Sequence, residues 1–306
     1  MKNRKKEYLE SIKGNKLKYK RVNITPIRYA GGKSLAVGFI CELIPDDIKK
    51  VVSLFFGGGS VEFAIANGLG IPVVGYDIFP DLINFFQVLK KKKKQLINEL
   101  EKLEPTRDVY NEIKNELKLN WNKKINLDKL TWARDFYFNH NLSYGPSFLG
   151  WMSKIYENRN KYVSSLEKLK RTNMTNIDVF NASFEEVIDT HKNDFLYLDP
   201  PYFIGGSSKM FAGIYPQRNF PIYHRNFDHL LLAEKLKNHN GGFILSYNDC
   251  KEIRDFYKDC EIKEIKWQYT MGQGETRVGK NRKKLGINHI KPSHELLIYK
   301  KPSISG

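Results

Sequence analysis

Two short stretches hold residue types that could act together on one substrate. Asp199-Pro200-Pro201-Tyr202 follows the apolar run Phe195-Leu196-Tyr197-Leu198. A carboxylate at the carboxyl end of a buried strand lies on the edge where open α/β sheets bind ligands. The two prolines have no amide proton and a fixed φ, so the loop is stiff and its carbonyls stay available as acceptors. Tyr202 adds a flat face for a planar ring. Acceptor, rigid carbonyl and stacking face together suit an exocyclic amine on an aromatic base. The second stretch is Phe56-Gly57-Gly58-Gly59-Ser60, between the run VVSLFF and a helix-like segment. Glycines there let a ligand approach the backbone, and a helix amino terminus favours polar or anionic groups. Asp77 ends the next apolar run, 20 positions after Gly57, where an acid can accept hydrogen bonds from ribose hydroxyls. A nicotinamide fingerprint would need a third glycine where Glu62 stands. Gly32-Lys33-Ser34 is not a Walker loop, because it lacks the earlier glycine and a preceding strand.

The elements that must position these residues follow from pattern. VVSLFF is short, β-branched and aromatic, as a buried parallel strand requires. VEFAIANGLG reads as a helix ending at glycine, and IPVVGYD as a second strand. This strand, turn, helix, strand unit predicts a doubly wound α/β sheet. Strand patterns return at 194–199, 241–247, 260–269 and 294–300, and FDHLLLAEKLKNH carries helical spacing between the first two. Residues 82–170 are Lys-, Glu-, Leu- and Asn-rich, helical in period and without buried strand runs. The expected organisation is a basic, loosely held lead over 1–21, an α/β core over 22–85 and 172–306, and a mainly helical insertion over 86–171.

The chain has 306 residues, 51 Lys+Arg against 34 Asp+Glu, and a net charge of +17. That balance fits a polyanionic partner, most simply nucleic acid, or a lysine-rich background. Hydrophobic residues at 41% exclude a wholly disordered chain. No apolar run approaches the ~18–20 residues of a membrane span. The amino terminus has no apolar stretch after its basic residues, so it does not read as a secretory signal. Cys41, Cys250 and Cys260 lack metal-type spacing, which points to a reducing cytoplasm and no zinc site. The seven histidines show no metal spacing either, and Lys90 to Lys94 read as a solvated helix face.

On these motifs the sequence resembles the Dam-type, N6-adenine-specific DNA methyltransferases. Arg28-Tyr29-Ala30-Gly31-Gly32-Lys33 resembles the family's amino-terminal cofactor motif. Phe56 to Ser60 resembles its glycine-rich motif, Tyr76-Asp77-Ile78 its acidic strand end, and Asp199 to Tyr202 its catalytic motif. Asn181-Ala182-Ser183-Phe184 stands where the family carries an Asp-Phe pair; Ser183 replaces the acid and Phe184 carries over. Glu295-Leu296-Leu297-Ile298 resembles the closing strand. The matches are collinear over residues 25–300.

The resemblance implies a Rossmann-like, doubly wound mixed sheet of the S-adenosylmethionine-dependent methyltransferase type, with an inserted target-recognition domain. It implies S-adenosylmethionine as cofactor, S-adenosylhomocysteine as product, and no metal. Asp199, Pro200, Pro201 and Tyr202 would act on a flipped adenine. Tyr29, Lys33, Phe56, Gly57, Gly59, Ser60, Asp77, Ile78, Ser183, Phe184 and Asp199 would line the cofactor. Double-stranded DNA would be the substrate, within a restriction–modification or phage system that can include a cognate endonuclease. In the insertion, Arg134, His140, Asn141, Tyr144, Arg159 and Asn160 are candidates for base or phosphate contacts. Arg28 aligns with a base-contacting position, and Arg277 opens a second basic cluster ending at Lys284. The family's Asn-Val-Pro stretch is replaced by SYGPSFLGWMSK over 143–154, so a GATC target is not implied. Segment 203–224 is expected to order on DNA. An RNA adenine methyltransferase and a catalytically idle nucleic-acid-binding protein remain open at this level, since the Asp-Pro-Pro-Tyr motif reports the amine and not the sugar.

Overall fold

The computed structural model describes residues 2–15, 18–203, 227–267 and 293–303. Seven strands form one sheet: β1 (Val51–Ser53), β2 (Val73–Asp77), β3 (Ile177–Asn181), β4 (Phe195–Leu198), β5 (Phe243–Asn248), β6 (Glu261–Trp267) and β7 (Ser293–Lys300). Their order is β3-β2-β1-β4-β5-β7-β6. The first five are parallel, and β7 enters antiparallel between β5 and β6. Buried on both faces, β1, β4 and β5 read as continuous apolar runs. Successive side chains alternate between two cores: Val51, Phe195 and Tyr197 enter one, and Val52, Leu196 and Leu198 the other.

Helices cover both faces. On the first lie α1 (Lys2–Ser11), α2 (Val37–Leu43), α3 (Ser60–Ala64, continued by a π turn to Leu69), α4 (Pro80–Glu101), α5 (Arg107–Trp121), α6 (Lys129–Leu142) and α7 (Arg159–Arg171). The second carries α8 (Phe184–Val187), α9 (His229–Lys237) and α10 (Lys251–Phe256). The α3 helix runs out at Gly70, which takes the left-handed conformation at φ 75°, as its sequence predicts. Four helices, α4 to α7, separate β2 from β3, where a single crossover helix would suffice. They share one hydrophobic core with the sheet: Phe85, Phe136 and Tyr137 belong to the same cluster as Val51 and Val73. Helix α6 is buried on nearly every side, which explains why its sequence shows no polar face.

Two expectations need correction. The lead is not loosely held. It forms α1, whose Arg4 donates from Nε to Gly68 O at 3.0 Å and from Nη2 to Asn67 O at 3.0 Å. These carbonyls belong to the end of the π turn, where backbone acceptors lack helical partners. The strand β3 was not among the strands expected from sequence, because this edge strand buries only Ile177 and Val179 and so lacks the apolar run that marks the central strands. No helix among the described residues is long and apolar enough to cross a membrane.

Candidate active site

Strands β1 and β4 are neighbours, although β2, β3 and six helices separate them in the chain. Here the sheet reverses its winding, and in open α/β sheets the ligand crevice lies outside the carboxyl ends of the strands at such a point. Both motifs follow on these strand ends. After β1, the Phe56 amide donates to Tyr76 O at 2.8 Å, and the chain turns through Gly57 at φ 48° and Gly59 at φ 72°. A side chain at Gly59 would be strained by that φ and would meet Phe56 and Phe63. Phe56 itself is buried against Gly75, where an added Cβ would lie 2.2 Å from its ring. Tyr29 closes over Gly57 and Gly58, and its ring stacks on His140 at 5.9 Å.

Asp77 joins this turn to β2. Its Oδ2 accepts from the Gly57 amide at 2.8 Å and its Oδ1 from the Phe79 amide at 3.0 Å. Burial raises its pKa, and the backbone amides pull it back down. Each carboxylate oxygen has a further lone pair, so Asp77 can still accept from a ligand. Beside it, Ile78 is 42% exposed, an apolar surface open at the sheet edge. A glycine cradle that side chains would fill, an acid with spare acceptor capacity and an uncovered apolar residue fit a ribose and its adenine ring. Phe184 packs between Phe55 and Phe227 in the second core. Ser183 caps α8: its Oγ accepts from the Glu186 amide, and its own amide donates to Glu186 Oε2 at 2.6 Å. Ser60 is buried, with its Oγ beside Gly32.

The second motif is surrounded by ionisable groups. Lys33, buried, places Nζ 2.8 Å from Asp199 Oδ1, 3.2 Å from Gly31 O and 4.9 Å from the centroid of the Tyr202 ring. Tyr202 is 5% exposed, and its phenol donates to Glu295 Oε1. Asn248 holds the next residue, donating from Nδ2 to Phe203 O at 3.0 Å. Glu62 lies below, accepting from Ser53 Oγ at 2.6 Å. Burial raises the pKa of Asp199, and Lys33 opposes the shift. Burial pushes Glu62 up to about 8 and Glu295 up to about 7, with Asp199 adding repulsion to both. Two buried carboxylates, Glu62 and Glu295, thus lie near the half-buried Asp199, and the Lys33 ammonium opposes the shift at Asp199 and at Glu295.

Glu295 and Glu62 were not among the site residues expected from sequence. The available signal was a charge inside an apolar segment: Glu295 within HELLIY, and Glu62 within VEFAIA. Among the expected DNA contacts, Arg28 donates from Nη1 to Asn141 O at 3.0 Å and Ser143 O at 2.9 Å. Asn141 is 2% exposed, and its Oδ1 accepts from the Arg28 amide. Arg134 donates from Nε to buried Asp135 at 2.7 Å, and Arg159 pairs with Glu104. His140 lies stacked on Phe136, and burial lowers its pKa to about 3. Tyr144 is exposed, on a loop whose other strand presents Trp151, 77% exposed. All of 277–284, Arg277 included, and all of 203–224 except Phe203 lie outside the described residues.

The chain is similar to several known proteins. The "Type II methyltransferase M1.LlaDCHI" of Lactococcus lactis subsp. cremoris is 24% identical over 296 residues, covering 87% of this chain and 96% of that protein. The "Modification methylase StsI" of Streptococcus sanguinis is 27% identical over 195 residues, 59% of this chain and 29% of that protein. The "Type II methyltransferase M.FokI" of Planomicrobium okeanokoites is 27% identical over 201 residues, with the same shares. The chain therefore spans under a third of the length of two of these relatives and nearly all of the other. Residues 29–271 match the D12 class N6 adenine-specific DNA methyltransferase family, and the chain belongs to that family.

Proposed function

We propose that this protein methylates the N6 amine of an adenine in duplex DNA, as the modification enzyme of a type II restriction–modification system. The observation that carries the reading is the position of the Lys33 ammonium, 2.8 Å from Asp199 and over the ring of Tyr202. A nitrogen donor hydrogen-bonded to Asp199 therefore lies above a stacking face, as the amine of an extruded adenine must. An adenine inside a duplex cannot reach the loop, so the base leaves the stack. Lys33 has a flexible stem and already touches the Gly31 carbonyl, to which its ammonium retreats as the base enters.

Asp199 and the Pro200 carbonyl then accept hydrogen bonds from the amine and turn its lone pair toward the cofactor side of the crevice. Such alignment contributes several kcal/mol, within the ~7–11 available from full positioning. Asp77, Ile78 and the Gly57 to Gly59 turn would hold S-adenosylmethionine, with Tyr29, Phe56, Ser60, Ser183 and Phe184 shaping the walls. The bound cofactor supplies an electrophilic methyl group. Asp199 need not be a strong base, because the methylated amine is acidic and gives up its proton late. Helices α4 to α7 and the 143–152 loop form the target-recognition region, with Tyr144 exposed there.

The test is incubation with tritiated S-adenosylmethionine and, separately, duplex DNA or RNA, followed by mapping of the modified base. N6-methyladenine in DNA is the expected product. Asp199→Ala should abolish transfer in single-turnover assays while cofactor binding persists. Transfer by Asp199→Ala at the wild-type rate, or label only in RNA, refutes the reading.

A further inference from the structure

The Asp-Pro-Pro-Tyr loop is tied at both ends by buried ionisable groups from distant parts of the chain. At its start, Lys33 from the segment before α2 holds Asp199. At its end, the Tyr202 phenol donates to Glu295, which projects from β7 opposite Asn248 in the β5–β7 register. Asn248 in turn holds the Phe203 carbonyl at 3.0 Å. Glu295 is buried, and a carboxylate loses most of its hydration there unless it serves a partner. An apolar side chain would suit this strand better on packing grounds, since Leu297 and Tyr299, which alternate with it on the same face of β7, enter the first core. What the acid provides is an acceptor at one point, aimed at the hydroxyl of the aromatic ring.

We propose that Glu295 is a positioning residue for methyl transfer: it anchors the Tyr202 phenol and so fixes the plane of the ring on which the target base stacks. The inference rests on the function proposed above. A ring held only at Cβ can turn about both side-chain torsions. A hydrogen bond at its far end removes that freedom while leaving the face open to exchange the Lys33 ammonium for a base. Anchoring at the phenol also explains why a tyrosine, and not simply any aromatic residue, suits this position. Glu295 reaches the stacking ring through the Tyr202 phenol, so the two should be strongly coupled.

The experiment is a double-mutant cycle on the full chain, read by single-turnover methyl transfer and by the KM for duplex DNA. Glu295→Ala and Tyr202→Phe should each slow transfer about ten- to a hundredfold, as expected for loss of a hydrogen bond to a charged group. The double variant should be no slower than either single one. Glu295→Gln keeps an acceptor and should restore the rate to within a few-fold of wild type. A 2-aminopurine at the target position should lose stacking-dependent quenching in Glu295→Ala. Affinity for S-adenosylmethionine should stay at the wild-type value in all of them. Wild-type transfer rates in Glu295→Ala or Tyr202→Phe, or multiplying losses in the double variant, overturn the inference. If Glu295→Ala does not fold, Tyr202→Phe alone decides. Failure of the wild-type protein to methylate DNA adenine would instead refute the function on which the inference rests.

Discussion

The Lys33 ammonium pairs with Asp199 at 2.8 Å, and its removal has consequences of definite sign and order of magnitude. Lys33→Met keeps the length and apolar stem of the side chain and deletes the charge. In the wild type, burial raises the Asp199 pKa while Lys33 lowers it by charge and by a hydrogen bond. Deleting the ammonium leaves only the upward effect, and Glu295 loses the same opposing charge. Both carboxyls then hold their protons to higher pH. Stability should fall by about 3–5 kcal/mol, the usual cost of stranding one partner of a buried pair. Because Asp199 must be ionised to accept from the amine, the acid limb of kcat/KM, which reports the free enzyme, should move to higher pH. Urea unfolding at neutral pH gives the first quantity, and kcat/KM measured across pH 5–9 gives the second. A variant as stable as the wild type within ~1 kcal/mol, with an unmoved acid limb, would show that the Lys33 charge does not control Asp199.

Asp77→Ala removes an acceptor of the Gly57 and Phe79 amides and the proposed ribose contact, so calorimetric affinity for S-adenosylmethionine should weaken by ~1.5–3 kcal/mol; unchanged affinity would refute that role. Glu62 has a folded pKa of about 8, above the ordinary value of 4.5, so its contribution is full below pH 4.5 and is lost as pH rises through 8. Glu62→Gln removes that titration, and the stability of the variant relative to wild type should rise by up to ~1.4 kcal/mol per pH unit in this window; parallel stability curves would contradict it. If the +17 charge serves DNA, log affinity should fall with log salt at a slope near −0.9 per phosphate neutralised; a flat response would assign the lysines to background.

The legible parts of the fold were those in which local pattern and final environment agree. Strands β1, β4 and β5 are covered on both faces, so their sequences are nearly uniform apolar runs and betray the sheet. The edge strand β3 and the helix α1 escaped notice for the opposite reason. One alternates toward solvent, and the other is basic, anchored by Arg4 on backbone carbonyls that no side-chain pattern marks. Within the site, Asp199, Tyr202, Asp77 and the glycine turn stood out because a stiff acidic loop and a positive-φ turn are written in consecutive residues. Asn141 and Arg134 are DNA-contact candidates by residue type, and the fold also gives them partners of their own in Arg28 and Asp135. Residue type alone does not reveal whether a polar group is already spoken for.

Sequence by itself thus determined the two motifs, their order along the chain and the chemistry each is suited to, because those depend on residues joined by a few peptide bonds. Tertiary structure alone decided that they meet. The reversal of winding between β1 and β4 brings the glycine turn beside Asp199. The antiparallel entry of β7 delivers Glu295 to Tyr202 across 93 positions of sequence. Burial then makes those meetings consequential: in water these carboxylates and the ammonium would each be solvated separately, whereas in the fold each must answer to its neighbours.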